Sequence, residues 1–436
     1  MIKLLFTASV ALICLKANAV GYPSHSVTLN NGLKVIVCEK PGNDFVYLQL
    51  VYRTGSKDEV PGIRGMAHMF EHMMFRGTVN YPGDAFEKNI EGVGGQMNAS
   101  THNDFTEYHE YIPKSSLKLC LDMEADRMTS LVVTQDILNT ERQVVGEEFR
   151  NWTNDWHRRM LLDEYKVLYP DGHPYTVNTI GNLEEITAFT AAQCMKFYDN
   201  YYSPNNAFLI ITGDVKSEEI FAMADKAFSH IIKHLDLKLQ EKVPDLNGAS
   251  PKKEEMPLDQ MVQVYSYAIP YPAVSSKDYY ALDMLTNLVF LDENSIMNNR
   301  LIKKNHLVYV INSDDESRFY LYPSIQTFNF YMPAAVGNAK VKKAVKEELA
   351  KVKQDGIPQF MIDNFIRSQE SALVQSNYSV EQLSGLLAEA ELYFDDYQKA
   401  YNMIDEYKKV TPEDLKRVAS IYFADDRIHV INIKPD

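Results

Sequence analysis

His68 and His72 stand four residues apart in the run Ala67-His68-Met69-Phe70-Glu71-His72-Met73-Met74-Phe75, within a chain that has 11 histidines. On an α-helix, positions i and i+4 share a face, so both imidazoles converge on one point. Glu71 leans toward the same point from one step before His72. Two imidazoles and a neighbouring carboxylate are most of a catalytic zinc site, which needs one further protein ligand and an open position for water. The flanks are apolar all round, so a buried helix is expected over 62–75, stopped near Gly77. Burying two histidines and a glutamate without a partner is costly, which favours a metal over an incidental cluster.

The stretch Ile137–Trp152 offers the missing ligand. Glu141 and Glu148 are seven residues apart, two helical turns, and share one face, whereas Glu147 is rotated off it. An acidic pair on the apolar face of a helix calls for a compensating cation. Spacing leaves open which of the two ligates and which orients the site.

These groups need elements to hold them. Residues 26–40 read as a hairpin around Asn31-Gly32, and Phe45–Tyr52 as a further strand. The double glycine Gly94-Gly95 precedes strand-like alternation, and long helices are expected over Ser116–Leu131 and Thr134–Asn151. Cys120 falls on the apolar stripe of the first of these, so it reads as a buried, inert thiol. A charged, Pro- and Gly-containing stretch, 233–260, reads as a linker. The chain beyond this stretch echoes the chain before it: Thr187 lines up with Thr411 and Tyr198 with Tyr422, about 224 residues on, each ahead of a short apolar strand. The second copy has no histidine where the first has its pair, so one half would carry the chemistry and the other would shape the chamber.

A chain of 436 residues with 45% hydrophobic content accommodates two domains of ordinary size. Its formal charge of −15 argues against nucleic acid and anionic lipid as partners and leaves cationic peptides open. The first 19 residues, with an early lysine, an apolar run from Leu4 to Leu15 and Ala17-Asn18-Ala19, have the layout of a secretory signal peptide. Export, to a bacterial periplasm or another extracytoplasmic space, is therefore expected; retention as an uncleaved anchor is the alternative. No later segment is apolar for long enough to span a bilayer. Cleavage would leave three cysteines, too few for a disulfide framework.

The segment His68-Met69-Phe70-Glu71-His72 resembles the inverted zinc motif of the pitrilysin/insulinase metallopeptidases, in particular the two-domain branch that includes mitochondrial processing peptidase. Glu148, 76 residues after His72, extends the resemblance, as do Gly95-Gln96-Met97-Asn98-Ala99, Glu141-Arg142-Gln143 and His173-Pro174-Tyr175. It implies that His68, His72 and Glu148 hold one Zn²⁺ per chain, that Glu71 is the general base, and that Glu141 orients the site from behind. It also implies that Gly95, Asn98 and Ala99 belong to an edge strand on which an extended peptide adds. The family completes its site with an arginine seven residues before a tyrosine from the second half. Here Tyr309 stands at the tyrosine position, but Ile302 occupies the other, with Arg300 and Arg318 as nearby substitutes. That gap suggests a heterodimer in which a homologous subunit without the zinc motif supplies the missing group, or otherwise a homodimer.

The resulting expectation is an α+β fold of two similar domains, each an antiparallel sheet packed with helices, arranged as a clamshell. Its divisions are a signal peptide (1–19), a zinc-bearing domain (20–232), a linker (233–260) and a non-catalytic domain (261–436). The expected function is an exported zinc endopeptidase acting on peptides or unfolded segments. A non-enzymatic scaffold of the same fold, or a peptidase dedicated to one precursor, is the alternative.

Overall fold

Asn31 and Gly32 turn the chain as their types require. Gly32 sits at φ +93°, where a side chain is strained, and Asn31 Oδ1 accepts from the Leu33 N–H at 3.2 Å. The computed structural model describes residues 21–176, 178–233, 243–244, 246, 253–258, 262–313 and 319–435. The expected signal peptide, most of the expected linker and Arg318 lie outside these residues.

In the first lobe the order is β1 (Ser24–Thr28), β2 (Lys34–Glu39), β3 (Phe45–Tyr52), α1 (Met66–Met73), α2 (Ala85–Gly92), β4 (Gln96–Thr101) and β5 (Thr106–Pro113). It continues with α3 (Leu117–Thr129), α4 (Gln135–Asn154), α5 (Trp156–Leu168), α6 (Leu183–Ala188), α7 (Ala191–Tyr201), β6 (Ala207–Gly213) and α8 (Ser217–Phe228). In the second lobe come β7 (Lys253–Leu258), β8 (Val262–Tyr271), α9 (Tyr279–Thr286), β9 (Val310–Asn312), β10 (Ser324–Pro333) and α10 (Asn338–Asp355). After these come α11 (Gln359–Ser376), α12 (Val380–Phe394), α13 (Lys399–Lys408), α14 (Pro412–Tyr422) and β11 (His429–Pro435).

The five described strands of the second sheet repeat five of the six in the first. The first runs β1-β2-β6-β3-β5-β4 and the second β7-β11-β8-β10-β9, so β7, β11, β8, β10 and β9 stand where β2, β6, β3, β5 and β4 do. Pairing is antiparallel except for β2 with β6 and, at the matching place, β7 with β11. This is the expected α+β class, two similar sheet-and-helix lobes in a clamshell arrangement. The repeat differs in register from the sequence reading. Thr190 and Thr411 are the paired N-caps, each closing a capping box at the start of α7 and α14, so the match to Thr411 lies three residues beyond Thr187. The stretch expected as linker is corrected too: Lys253–Leu258 is the edge strand β7, whose charged residues hid it among polar neighbours.

Alternation along the strands decides what each lobe packs on. In β2, β3 and β6, Val35, Val37, Leu48, Leu50, Leu209 and Ile211 face their own lobe's helices. Ile36, Cys38, Val51, Phe208 and Ile210 face the other way and join the second lobe's core, under α12. The second sheet reciprocates: Val264, Ala268, Ile431 and Ile433 cluster with Met160 and Leu168 of α5 and with Tyr169 and Tyr175. Each lobe thus covers the back of the other's sheet with the equivalent helix. Polar contacts follow the same seam. Ser384 on α12 donates to Gln49 at 2.8 Å, and the Ile325 N–H donates to the Tyr169 hydroxyl at 2.9 Å. Cys38, Cys120 and Cys194 are buried free thiols, as expected for Cys120. Among the described residues no helix is long and apolar enough to cross a membrane.

Candidate metal centre

The helix carrying both histidines is fixed at its start by an acid and two glycines. Glu59, buried, accepts from the N–H groups of Gly65 (2.7 Å) and Ala67 (2.8 Å), so its carboxyl group satisfies the open donors at the start of α1. Gly65 (φ +97°) and Gly181 (φ +80°) pass backbone to backbone; a Cβ on Gly181 would meet the Gly65 Cα at 2.3 Å. Gly181→Ala is therefore expected to cost about 1–3 kcal/mol and to loosen α1, read as a lowered melting temperature together with weaker zinc binding. On the opposite face Phe70 packs against the rings of Phe197 and Tyr202, at 5.6 and 5.3 Å between centroids. The helix is shorter than the 62–75 expected, because its first regular turn waits for Gly65.

Roll and start fixed, α1 aims His68 and His72 at α4, whose N-cap Thr134 accepts from the Ile137 N–H. His68 Nε2 lies 3.7 Å and His72 Nε2 3.3 Å from Glu148 Oε2. One ligand atom from each of the three lies within 4.8 Å of the others, and among the described residues they form the one such group. Behind them His72 Nδ1 faces Glu141 Oε2 at 3.5 Å, and Arg76 holds Glu141 through Nε (2.6 Å) and Nη2 (3.1 Å). Glu141 is wholly buried, while the Glu148 side chain is 46% exposed, so the two acids that spacing left equivalent occupy different places. Glu71 points past the cluster, and its Oε2 accepts from the Thr101 hydroxyl of β4 at 2.6 Å.

Protonation follows these contacts. Burial, helped by the charge of His72, holds His68 down to about 4. Burial opposes the charge on His72 as well, but the Glu141 and Glu148 carboxylates outweigh it and lift His72 to about 9. Glu148 is held below the usual carboxylate range by His72. Glu141 is lowered too, since His72 and Arg76 together overcome its burial. Glu71 is pushed upward by burial, with Thr101 opposing.

The donor set fits zinc. Two imidazole Nε2 atoms and a carboxylate are a borderline-soft set of catalytic type, and one histidine has its other nitrogen turned to a buried acid, the arrangement that raises ligand basicity. The buried His68 Nδ1 has no hydrogen-bond partner among the described residues. Glu141→Gln is expected to keep the fold and weaken zinc binding by roughly 10–100-fold, measured by titration against a competing chelator.

Of the other expected residues, Gly95 and Asn98 line a cavity of about 560 Å³ beside Glu71 and His72. Ala99 does not; its side chain is in the core, and its N–H donates to Asn98 Oδ1 at 2.9 Å. The strand β4, which Gly95 precedes, is at the sheet edge, with β5 as its one partner among the described residues. Tyr309 is 64% exposed, with its N–H on the Tyr331 carbonyl of β10, and is not among the residues of that cavity. Arg300 pairs with Glu347 and Glu348 instead. Sequence reasoning missed Glu59, Arg76 and Thr101. Thr101 had a signal, since strand period two puts it on the face of Ala99; Glu59 and Arg76 act through loops whose course spacing does not reveal.

The chain matches the family described as Insulinase (Peptidase family M16) over residues 34–167 and Peptidase M16 inactive domain over residues 188–368. It is 31% identical to Zinc protease PqqE of Helicobacter pylori, over 99% of this chain and 98% of that protein. A crystal structure of a protease from Helicobacter pylori superposes with a TM-score of 0.86 at 28% identity, covering 95% of this chain and all 100% of that one. The periplasmic protease PqqL from Escherichia coli shares the fold, with a TM-score of 0.77 at 20% identity, over 96% of this chain and 48% of that one.

Proposed function

The chain belongs to the insulinase family of M16 peptidases, and from that premise we propose that it is an exported zinc endopeptidase whose chemistry resides in His68, Glu71, His72 and Glu148. The observation that carries this is the convergence of two Nε2 atoms and Glu148 beside the Glu71 carboxylate, which stands outside that group, on a helix packed against the edge strand β4. His68, His72 and Glu148 would hold one Zn²⁺, with Glu141 fixing the His72 ring. The ion supplies Lewis acidity that polarises a carbonyl and makes water acidic near neutral pH. Glu71 takes the proton of the attacking water and returns it to the leaving amine, with Thr101 setting the orientation of its carboxylate. An extended peptide adds to the outer edge of β4, where the main chain at Gly95 and Ala99 holds it in reach of Glu71 and the Asn98 side chain helps to position the scissile carbonyl.

The heterodimer reading is supported by exposure. With Glu148 half open to solvent and β4 at the edge, this chain alone leaves the cleft uncovered, and a homologous subunit lying over it would enclose the substrate. Tyr309, which does not line its own chain's cavity, would then serve the partner's side of such a chamber. The test is zinc content of the purified mature chain together with cleavage of a quenched peptide library, with and without chelator. Stoichiometric zinc and chelator-sensitive cleavage is the expected result. Zinc without cleavage would direct the search to the partner, and a chain that binds no zinc would leave only the scaffold.

A further inference from the structure

The cavity beside Glu71 and His72 is walled on its third side by α2, and the composition of that helix bears on what the cavity accepts. Phe86 and Ile90 are buried in the first lobe's core, which fixes the roll of α2. One position on, Glu87 and Glu91 are a helical turn apart, share a face, and line the cavity. The cations nearby are already committed: Lys88 pairs with Asp84 at 2.8 Å, and Arg76 holds Glu141. Glu87 and Glu91 form no ion pair among the described residues. The remaining walls include the ring of Phe75, just beyond the end of α1, and Met97 from β4, with Arg76, Asp84 and Gln96 lining the cavity beside them. Phe75 and Met97 flanking two uncommitted carboxylates suit a long aliphatic stem that ends in a cation, while Arg76 and Asp84 are each held by another partner.

We infer that this cavity receives a lysine or arginine side chain of the substrate and that Glu87 and Glu91 select it. The inference rests on the peptidase reading above, and deepens it from peptides in general to peptides with a basic residue at the reaction site. A lysine's ammonium, three donors on a flexible stem, lies between the two carboxylates, and the fork of an arginine meets one of them in two places. A glutamate in the same position meets like charge and is refused.

The test uses equilibrium binding, so that it does not depend on turnover. A short neutral fluorescent peptide, carrying one Lys, Met or Glu at each position in turn, is titrated into the zinc-loaded Glu71→Gln protein. At one position Lys is expected to bind at least about tenfold more tightly than Glu, with the gap narrowing in high salt. Glu87→Lys with Glu91→Lys should reverse the order, and Glu87→Gln with Glu91→Gln should level it, both with unchanged thermal unfolding because the two side chains are exposed. Equal affinities across the set, or a preference that survives both double substitutions, would overturn the inference. The peptidase reading fails separately: the native protein would then cleave no peptide, while the charge preference in binding persisted.

Discussion

Replacing Glu71 by glutamine is expected to lower the rate of peptide cleavage by roughly 10²–10⁴-fold while leaving zinc content unchanged. The two halves of that expectation come from one geometry. Glu71 Oε2 accepts from the Thr101 hydroxyl, and Glu71 is not among the three residues whose ligand atoms converge, so the metal would lose no ligand in the variant. A glutamine carbonyl still accepts from Thr101, so the side chain keeps its place and only the ability to take a proton is lost. Zinc analysis and single-turnover cleavage on the same preparation check this. A variant that loses zinc along with activity would mean that Glu71 belongs to the ligand set, and a fully active one would mean that the base lies elsewhere.

The largest effect on stability is expected at Arg127, whose side chain is wholly buried. It is bound to Glu124 and reaches Glu110 at 3.5 Å, and both acids are buried with it. Its guanidinium lies 4.3 Å from the Tyr108 ring centroid and 4.4 Å from that of Phe86, with Phe75 at 5.6 Å. Burial, and the neighbouring Glu124, push the Glu110 carboxyl well above its usual range, and Arg127 is the charge that opposes the shift. Arg127→Met removes the cation and leaves its acids uncompensated, at an expected loss of about 3–5 kcal/mol in denaturant unfolding. Adding Glu124→Gln and Glu110→Gln should restore part of that loss, because the stranded charges leave with the cation. A single variant no less stable than the triple would refute the account. Arg127→Lys should also be poor, since an ammonium neither spans two carboxylates nor lies flat between rings. Phe75 ties this cluster to function, because the same ring walls the cavity beside Glu71.

Local and periodic features were the ones legible from sequence. Thr134 ahead of a polar-apolar pattern announced α4 to within a residue at its start, Asn31-Gly32 announced the first hairpin, and the i, i+4 spacing of His68 and His72 announced a shared face. The roles of Glu141 and Glu148 were not separable, because what distinguishes them is which imidazole nitrogen each one meets. That depends on the crossing of α1 and α4, which no spacing encodes. Thr101, Arg76 and Glu59 were missed for the same reason, each touching the site from another element. β7 was hidden because an edge strand needs little apolar character when its outer side is open. The Thr187 register slipped by about one helical turn because both stretches keep their apolar spacing after such a shift, whereas a capping threonine fixes the start.

The exchange of α5 and α12 between the lobes sets an order on how the molecule can be made. When the ribosome has finished β6, the first sheet is complete but Ile36, Val51, Phe208 and Ile210 have nothing over them until α12 has been synthesised near the far end of the chain. Through that interval the nascent protein carries an uncovered apolar sheet face, the kind of surface that holdase chaperones bind and that aggregates when they are absent. The export proposed above would gain from this delay, since the chain stays short of its final fold until translation is nearly over. A gene cut between the lobes would accordingly yield two insoluble fragments when each is made alone, and a soluble complex when both are made together.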